Sequence, residues 1–187
     1  AQLLAAGSLH RLQDTARRDE MLRRISSTAR GGAGRAAAEG ASLLMAEWAL
    51  DDRDADKALA MLAALTPGVG RRTQALRLRL RAARMAGRPV EALNTARLLA
   101  KHGAFSRDAA KGLLRTLAID VLDTAHDADQ LRREWQDLES ADRRDPAVAA
   151  RAARRAASFG AVDDARAWLV PFWDRMTDLS VSEREAV

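Results

Sequence analysis

Ser42-Leu-Leu-Met-Ala-Glu-Trp-Ala-Leu50, Asp51-Asp-Arg-Asp54 and Lys57-Ala-Leu-Ala-Met-Leu-Ala-Ala-Leu65 read as a helix, a turn and a second helix. The same three parts recur in Leu76–Met85, Ala86-Gly-Arg-Pro89 and Glu91–Ala100. Ala58-Leu59 and Ala92-Leu93 hold the same place in the two copies, 34 residues apart. A helical hairpin of this length buries its apolar stripe only against a neighbour, so a repeated hairpin implies a stacked array.

Working outward from Glu39–Lys101, the unit recurs on both sides. Ala1–Leu12, a turn at Gln13-Asp14-Thr15 and Arg17–Thr28 form a first hairpin. Gly31-Gly-Ala-Gly34 interrupts the helical pattern and reads as a linker, because glycine is costly inside helices. Thr66-Pro-Gly-Val-Gly70 ends the second hairpin. Ser106-Arg-Asp108 can cap a long helix through Thr124, His126-Asp127 turns, and Ala128–Glu139 returns. Asp145-Pro146 places an N-cap before a proline at the first helical position. Pro146–Phe159, a turn at Gly160-Ala161 and Asp163–Thr177 complete the series, with Pro171 expected to kink or shorten the last helix. Ala46, Leu80, Ile119 and Ala153 recur where the first helix of a hairpin meets its partner. The expected fold is therefore all-α: a right-handed superhelical array of about five hairpins, an α-solenoid of the tetratricopeptide type. The hairpins run approximately over 1–30, 36–66, 72–102, 106–140 and 145–178 of one repeat domain.

Composition narrows the chemistry. Across 187 residues there is no Cys, which excludes disulfides, zinc–thiolate sites and thiol nucleophiles. Alanine- and leucine-rich, tyrosine-free sequence favours helix over strand. No run of 18 apolar residues exists to span a bilayer, and no signal peptide opens the chain. Helical sequence from Ala1, and a capping box Ser180-Val-Ser-Glu183 opening a helix only a few residues before Val187, lead us to expect a piece of a longer protein. The 31 basic and 26 acidic residues are interspersed, so a net charge of +5 points to a mixed surface more than to a dedicated polyanion-binding one.

No constellation for catalysis emerges. His10, His102 and His126 lack metal-ligand spacing, and Met21, Met45, Met61, Met85 and Met176 read as core. Arg30 and Arg35 flank the glycines of 31–34, but no strand precedes them and the Gly-Lys-Ser/Thr ending of a P-loop is missing. Trp48, Trp135, Trp168 and Trp173 read as hairpin cores, with Trp48 and Trp173 expected to be the more exposed. The most informative surface is Arg71–Arg88, with seven arginines and no acid. Arg77, Arg81, Arg84 and Arg88 follow one helical face. In the repeat register, Glu47, Asp120, Asp123, Arg151 and Arg154 line the same side. Two readings stand open. The face is a partner-binding groove gripping an acidic segment through Arg forks, or Glu47, Asp120 and Asp123 neutralise the arginines across neighbouring repeats. Nucleic acid is disfavoured, since the signs alternate and no aromatic platform accompanies the arginines.

Leu9-His-Arg-Leu-Gln-Asp-Thr-Ala-Arg-Arg-Asp-Glu-Met-Leu22, Ala46-Glu-Trp-Ala-Leu-Asp-Asp-Arg-Asp54 and Lys57-Ala-Leu-Ala-Met-Leu62 resemble the tetratricopeptide region of the proteobacterial HemY family. Arg132-Arg-Glu-Trp135, Arg143-Arg-Asp-Pro-Ala-Val148 and Gly160-Ala-Val-Asp-Asp-Ala165 extend the resemblance over most of the chain. It implies a bacterial inner-membrane protein associated with late haem biosynthesis. Two membrane helices would precede the repeats and leave them on the cytoplasmic face. It carries over no catalytic residue, so the expectation is a non-enzymatic scaffold without a cofactor, holding protein partners such as haem-pathway enzymes. The alternatives are a carrier that binds haem or porphyrin directly, its arginines meeting the propionates, and a generic envelope assembly factor.

Overall fold

The computed structural model describes residues 2–27 and 31–186, and every described element is helical. Thr28 and Arg30, placed at the end of the first expected hairpin, lie outside the described residues, as do Ala1 and Val187. The chain divides into two compact units, residues 1–88 and 89–187, and the boundary falls inside the expected hairpin 72–102.

The first unit holds α1 (Gln2–Arg11), α2 (Thr15–Ser27), α3 (Gly31–Asp51), α4 (Ala55–Ala63), a single turn α5 (Pro67–Gly70) and α6 (Thr73–Met85). Successive helices pack in sequence: α1 on α2, α2 on α3, α3 on α4, and α6 on both α4 and α3. Ala6, Leu22, Ile25, Ala41 and Trp48 form one buried cluster. Each large side chain removed from water there contributes roughly 1.5–3 kcal/mol. The α3–α4 turn is closed by Arg53 in the left-handed region at φ 61° and by Asp54, whose carboxylate caps α4 at Lys57 N. Gly87 takes the same role after α6 at φ 65°.

One expectation is overturned here. The glycines of 31–34 do not form a linker: α3 starts at Gly31, at φ 76°, and runs unbroken to Asp51. Each glycine costs a helix about 1 kcal/mol relative to alanine. The alanine-rich continuation and the burial of Ala41, Leu43 and Ala46 outweigh that cost, since extending an existing helix needs no new nucleus.

The second unit holds α7 (Pro89–Lys101), α8 (Arg107–Asp123), α9 (Ala128–Asp137), α10 (Ser140–Arg143), α11 (Pro146–Ser158), α12 (Val162–Trp173), a 3-10 turn (Met176–Asp178) and α13 (Val181–Ala186). Here α7 packs on α8, α8 on α9 and α11, and α11 on α12 and α13. Leu99, Leu117, Leu122, Leu131 and Val148 are fully buried. Buried alanines at 149, 150, 152, 153 and 156 let α11 approach its neighbours closely.

The start signals act as expected. Ser106 Oγ accepts from Ala109 N, and Asp145 Oδ1 accepts from Ala147 N at 3.0 Å, with Pro146 in the first turn of α11. Ser180 and Glu183 close a reciprocal box, Ser180 N donating to Glu183 Oε2 at 3.0 Å and Glu183 N to Ser180 Oγ at 3.4 Å. Pro171 sits two residues before the end of α12, which stops at Trp173, short of the expected Thr177. Ala46, Leu80 and Ala153 are buried and Ile119 is half-buried. Met85 departs from expectation: it is exposed, as the last residue of α6.

Candidate functional site

The arginine face of the first unit arises from the pattern of α6. Ala75, Leu76, Leu78, Leu80, Ala82 and Ala83 turn inward, which leaves Arg77, Arg81 and Arg84 exposed along the opposite stripe, with Arg88 just beyond. The four arginines are not equivalent. Arg81 Nη2 donates to Asp51 Oδ1 at 3.0 Å, and Arg88 Nη2 to Asp56 Oδ1 at 2.5 Å. Arg77 and Arg84 have no acidic partner among the described residues. Glu47 is half-buried on α3 and meets none of the arginines, because Asp51, one turn further along, is the residue within reach of Arg81.

In the second unit, Arg151 on α11 grips Asp123 at the end of α8 with a two-point fork, Nε–Oδ1 2.7 Å and Nη2–Oδ2 2.9 Å. Hydrogen bonding to Asp123 raises the Arg151 pKa above its ordinary value and holds the guanidinium charged. Arg155 Nε approaches the same carboxylate at 3.9 Å while Nη2 donates to the Ala125 carbonyl. Asp120 and Arg154 are exposed. Asp120 has no basic partner among the described residues. Within the units, then, neutralisation accounts for Arg81, Arg88, Asp123 and Arg151 and leaves Arg77, Arg84 and Asp120 uncompensated.

Three further ion pairs escaped the sequence reading. Arg97 on α7 reaches Asp142, which is buried in α10. Arg115 on α8 forks onto Asp145 at 2.8–3.0 Å, and Arg132 on α9 meets Asp164 on α12 at 2.6 Å. The hydrogen bond to Asp164 raises the pKa of Arg132. Most of these pairs, like Arg81–Asp51, Arg88–Asp56 and Arg151–Asp123, join residues 28–32 apart. That separation, slightly under one repeat, is the signal that could have found them.

Each unit also carries a cavity. A cleft of about 620 Å³ in the second unit lies among α8, α10, α11, α12 and α13, with Leu114, Val148 and Phe172 in its floor. Glu183 of α13 reaches Lys111 there at 3.9 Å. A smaller cavity of about 250 Å³ in the first unit is walled by Arg18, Met45, Trp48 and Met61. Trp48 is 7% exposed, against expectation, because the His10 ring of α1 stacks on it at 4.7 Å and the Arg18 guanidinium lies over it at 5.4 Å. Trp173 is 55% exposed, as expected, and Trp135 stacks on Trp168 at 4.9 Å.

His10 is occupied by Arg18 and Trp48, whereas His102 and His126 lie on the surface. Among the described residues no group of three or more His, Asp or Glu side chains could hold a metal ion. Nor is any helix among them long and apolar enough to cross a membrane. Comparison with known proteins finds no matching family model, curated protein or solved structure.

Proposed function

We propose that the chain is a non-enzymatic protein-interaction scaffold, a right-handed superhelical array of tetratricopeptide-type hairpins that grips an acidic segment of a partner protein. The observation that carries this reading is the α6 face, where Arg77 and Arg84 stand exposed without acidic partners on either side of the neutralised Arg81. Uncompensated guanidinium groups with five donors each favour carboxylate forks. Recurring Arg–Asp pairs just under one repeat apart support the stacked arrangement. The resemblance to the HemY family supplies the setting: a membrane-tethered scaffold at the bacterial inner membrane, beside enzymes of late haem biosynthesis.

The test is in-cell crosslinking and affinity capture of the full-length protein, wild type against Arg77→Glu with Arg84→Glu. Both side chains are exposed, so helicity by circular dichroism stays unchanged while capture of the partner falls at least tenfold. Undiminished capture removes the α6 face from the reading. Capture of envelope proteins unrelated to haem synthesis, lost in the double variant, retains the scaffold and removes the haem setting.

A further inference from the structure

The cleft of the second unit stands apart from the arginine face of α6. One wall is α8, whose Arg107, Lys111 and Leu114 follow the i, i+4, i+7 spacing of a single helix face. Arg144, just after α10, and Arg175, just after α12, stand on the other walls around the apolar floor. Pairing removes part of this charge. Asp145 is taken by Arg115 and Asp142 by Arg97, while Lys111 reaches Glu183 only at 3.9 Å. Arg107, Arg144 and Arg175 have no acidic partner among the described residues, and Arg175 Nε donates to the Pro171 carbonyl at 3.4 Å. Asp178 is the one carboxylate among the described residues of the lining without a basic partner. Three unpaired cations against one unpaired acid leave two positive charges in excess after the pairs are removed.

The chain itself already places a peptide in this cleft. Leu179 and Glu183, four residues apart and both half-buried, line it, and α13 packs on α11. They fill it incompletely. The Lys111 side chain that Glu183 approaches is 63% exposed, and such a pair contributes little in water. About 620 Å³ remains open beside the segment, within the range of about 300–1,000 Å³ typical of ligand pockets.

We infer that this cleft docks an acidic, leucine-bearing segment of a partner protein, and that residues 178–183 occupy it in cis as a weaker ligand that the partner displaces. Arg107, Arg144 and Arg175 are exposed and hydrated, so none of them demands a partner by itself. Selection comes from their grouping around Leu114, Val148 and Phe172. A segment that sets carboxylates on the arginines while burying a leucine gains from both, through charge-assisted forks and apolar burial. A small anion gains only the first and a neutral apolar segment only the second. The occupant in cis, with its leucine and glutamate, favours a peptide over a lipid headgroup.

The probe is a fluorescein-labelled peptide, Asp-Asp-Leu-Glu-Glu-Leu-Glu-Glu, read by fluorescence anisotropy. It is titrated into the full chain carrying Arg77→Glu and Arg84→Glu, so that the α6 face does not contribute. The expected result is saturable binding that is lost when Asn and Gln replace the acids. Replacing both leucines of the peptide by serine weakens binding by roughly tenfold. Arg107→Gln with Arg144→Gln, both at exposed positions, leaves helicity by circular dichroism unchanged and weakens binding by roughly tenfold. Leu179→Ser with Glu183→Gln loosens the occupant in cis and tightens binding by about threefold or more, since less of the cleft is pre-filled. Absence of saturation, indifference to the Arg107 and Arg144 changes, or no tightening on loosening residues 178–183 each overturns the inference. Tighter attachment to phosphatidylserine vesicles than to the peptide overturns the choice of a protein segment.

Discussion

Replacing Arg97 by methionine and Asp142 by leucine, singly and together, isolates the ion pair that is most closed to solvent among the described residues. The Asp142 side chain is 9% exposed and that of Arg97 18%. Losing one partner of a buried pair costs about 3–5 kcal/mol, because the other charge stays buried. The two single variants are unequal. With Asp142 gone, Arg97 retains Glu139 at 3.4 Å and Asn94 Oδ1 at 3.0 Å. Glu139 is mostly exposed, so its compensation is worth up to about 1 kcal/mol. Asp142→Leu therefore costs about 2–3 kcal/mol. Arg97→Met leaves Asp142 without its cation and costs about 3–4 kcal/mol. The double variant replaces both charges by apolar groups and returns to within about 1–2 kcal/mol of wild type, a coupling of about 3 kcal/mol or more. Urea unfolding with the Trp135–Trp168 stack as reporter reads the second unit directly, since both rings belong to it. A coupling below about 0.5 kcal/mol, the value of an ordinary surface pair, would refute the treatment of this contact as a buried ion pair.

Arg53→Gly relieves a left-handed backbone at φ 61° that costs a non-glycine residue roughly 1–2 kcal/mol. After the extra chain entropy of glycine is deducted, the midpoint of thermal unfolding rises by the equivalent of about 0.5–1 kcal/mol, and a fall would contradict the geometry. Glu183 is held below the ordinary glutamate range by hydrogen bonds from the Ser180 hydroxyl and backbone N–H, with Lys111 and Arg115 adding smaller attractions. A depressed folded-state pKa stabilises above the unfolded value, and that stabilisation is lost as pH falls through the folded one. Hydrogen exchange of α13 therefore speeds up, relative to intrinsic rates, as pH drops through that window, and Glu183→Gln flattens the dependence. Wild-type protection that matches Glu183→Gln throughout contradicts the box as a source of stability.

Features encoded within a few residues of each other were legible in the sequence. Ser106, Asp145-Pro146 and Ser180–Glu183 mark helix starts, and Gly87 and Gly160 mark turns, because a cap or a positive φ is a local demand. The helix through Gly31–Gly34 was not legible, since local propensity argues for a break and the tertiary contacts of α3 decide otherwise. Burial of Trp48 depends on His10 and Arg18, which lie 38 and 30 positions away and carry no apolar signal. On the arginine face, periodicity located the residues but not their partners. Arg81 answers to Asp51 and not Glu47, because side chains of packed helices meet at offset levels, whereas residues in repeat register occupy equivalent ones.

Asp145 does two things with one carboxylate: it receives the first N–H groups of α11 and the guanidinium of Arg115 on α8. That double use couples the start of one helix to the docking of another. A helix that starts at Asp145 has already oriented the oxygen that its neighbour needs. Docking of α8, in turn, withdraws that oxygen from the conformations in which α11 has not started. The start of α11 and its contact with α8 are thus coupled through one carboxylate, across about thirty residues of chain. Closing a loop of that size costs about 3 kcal/mol of chain entropy, which the Arg115–Asp145 fork and the packing of α8 on α11 help to offset.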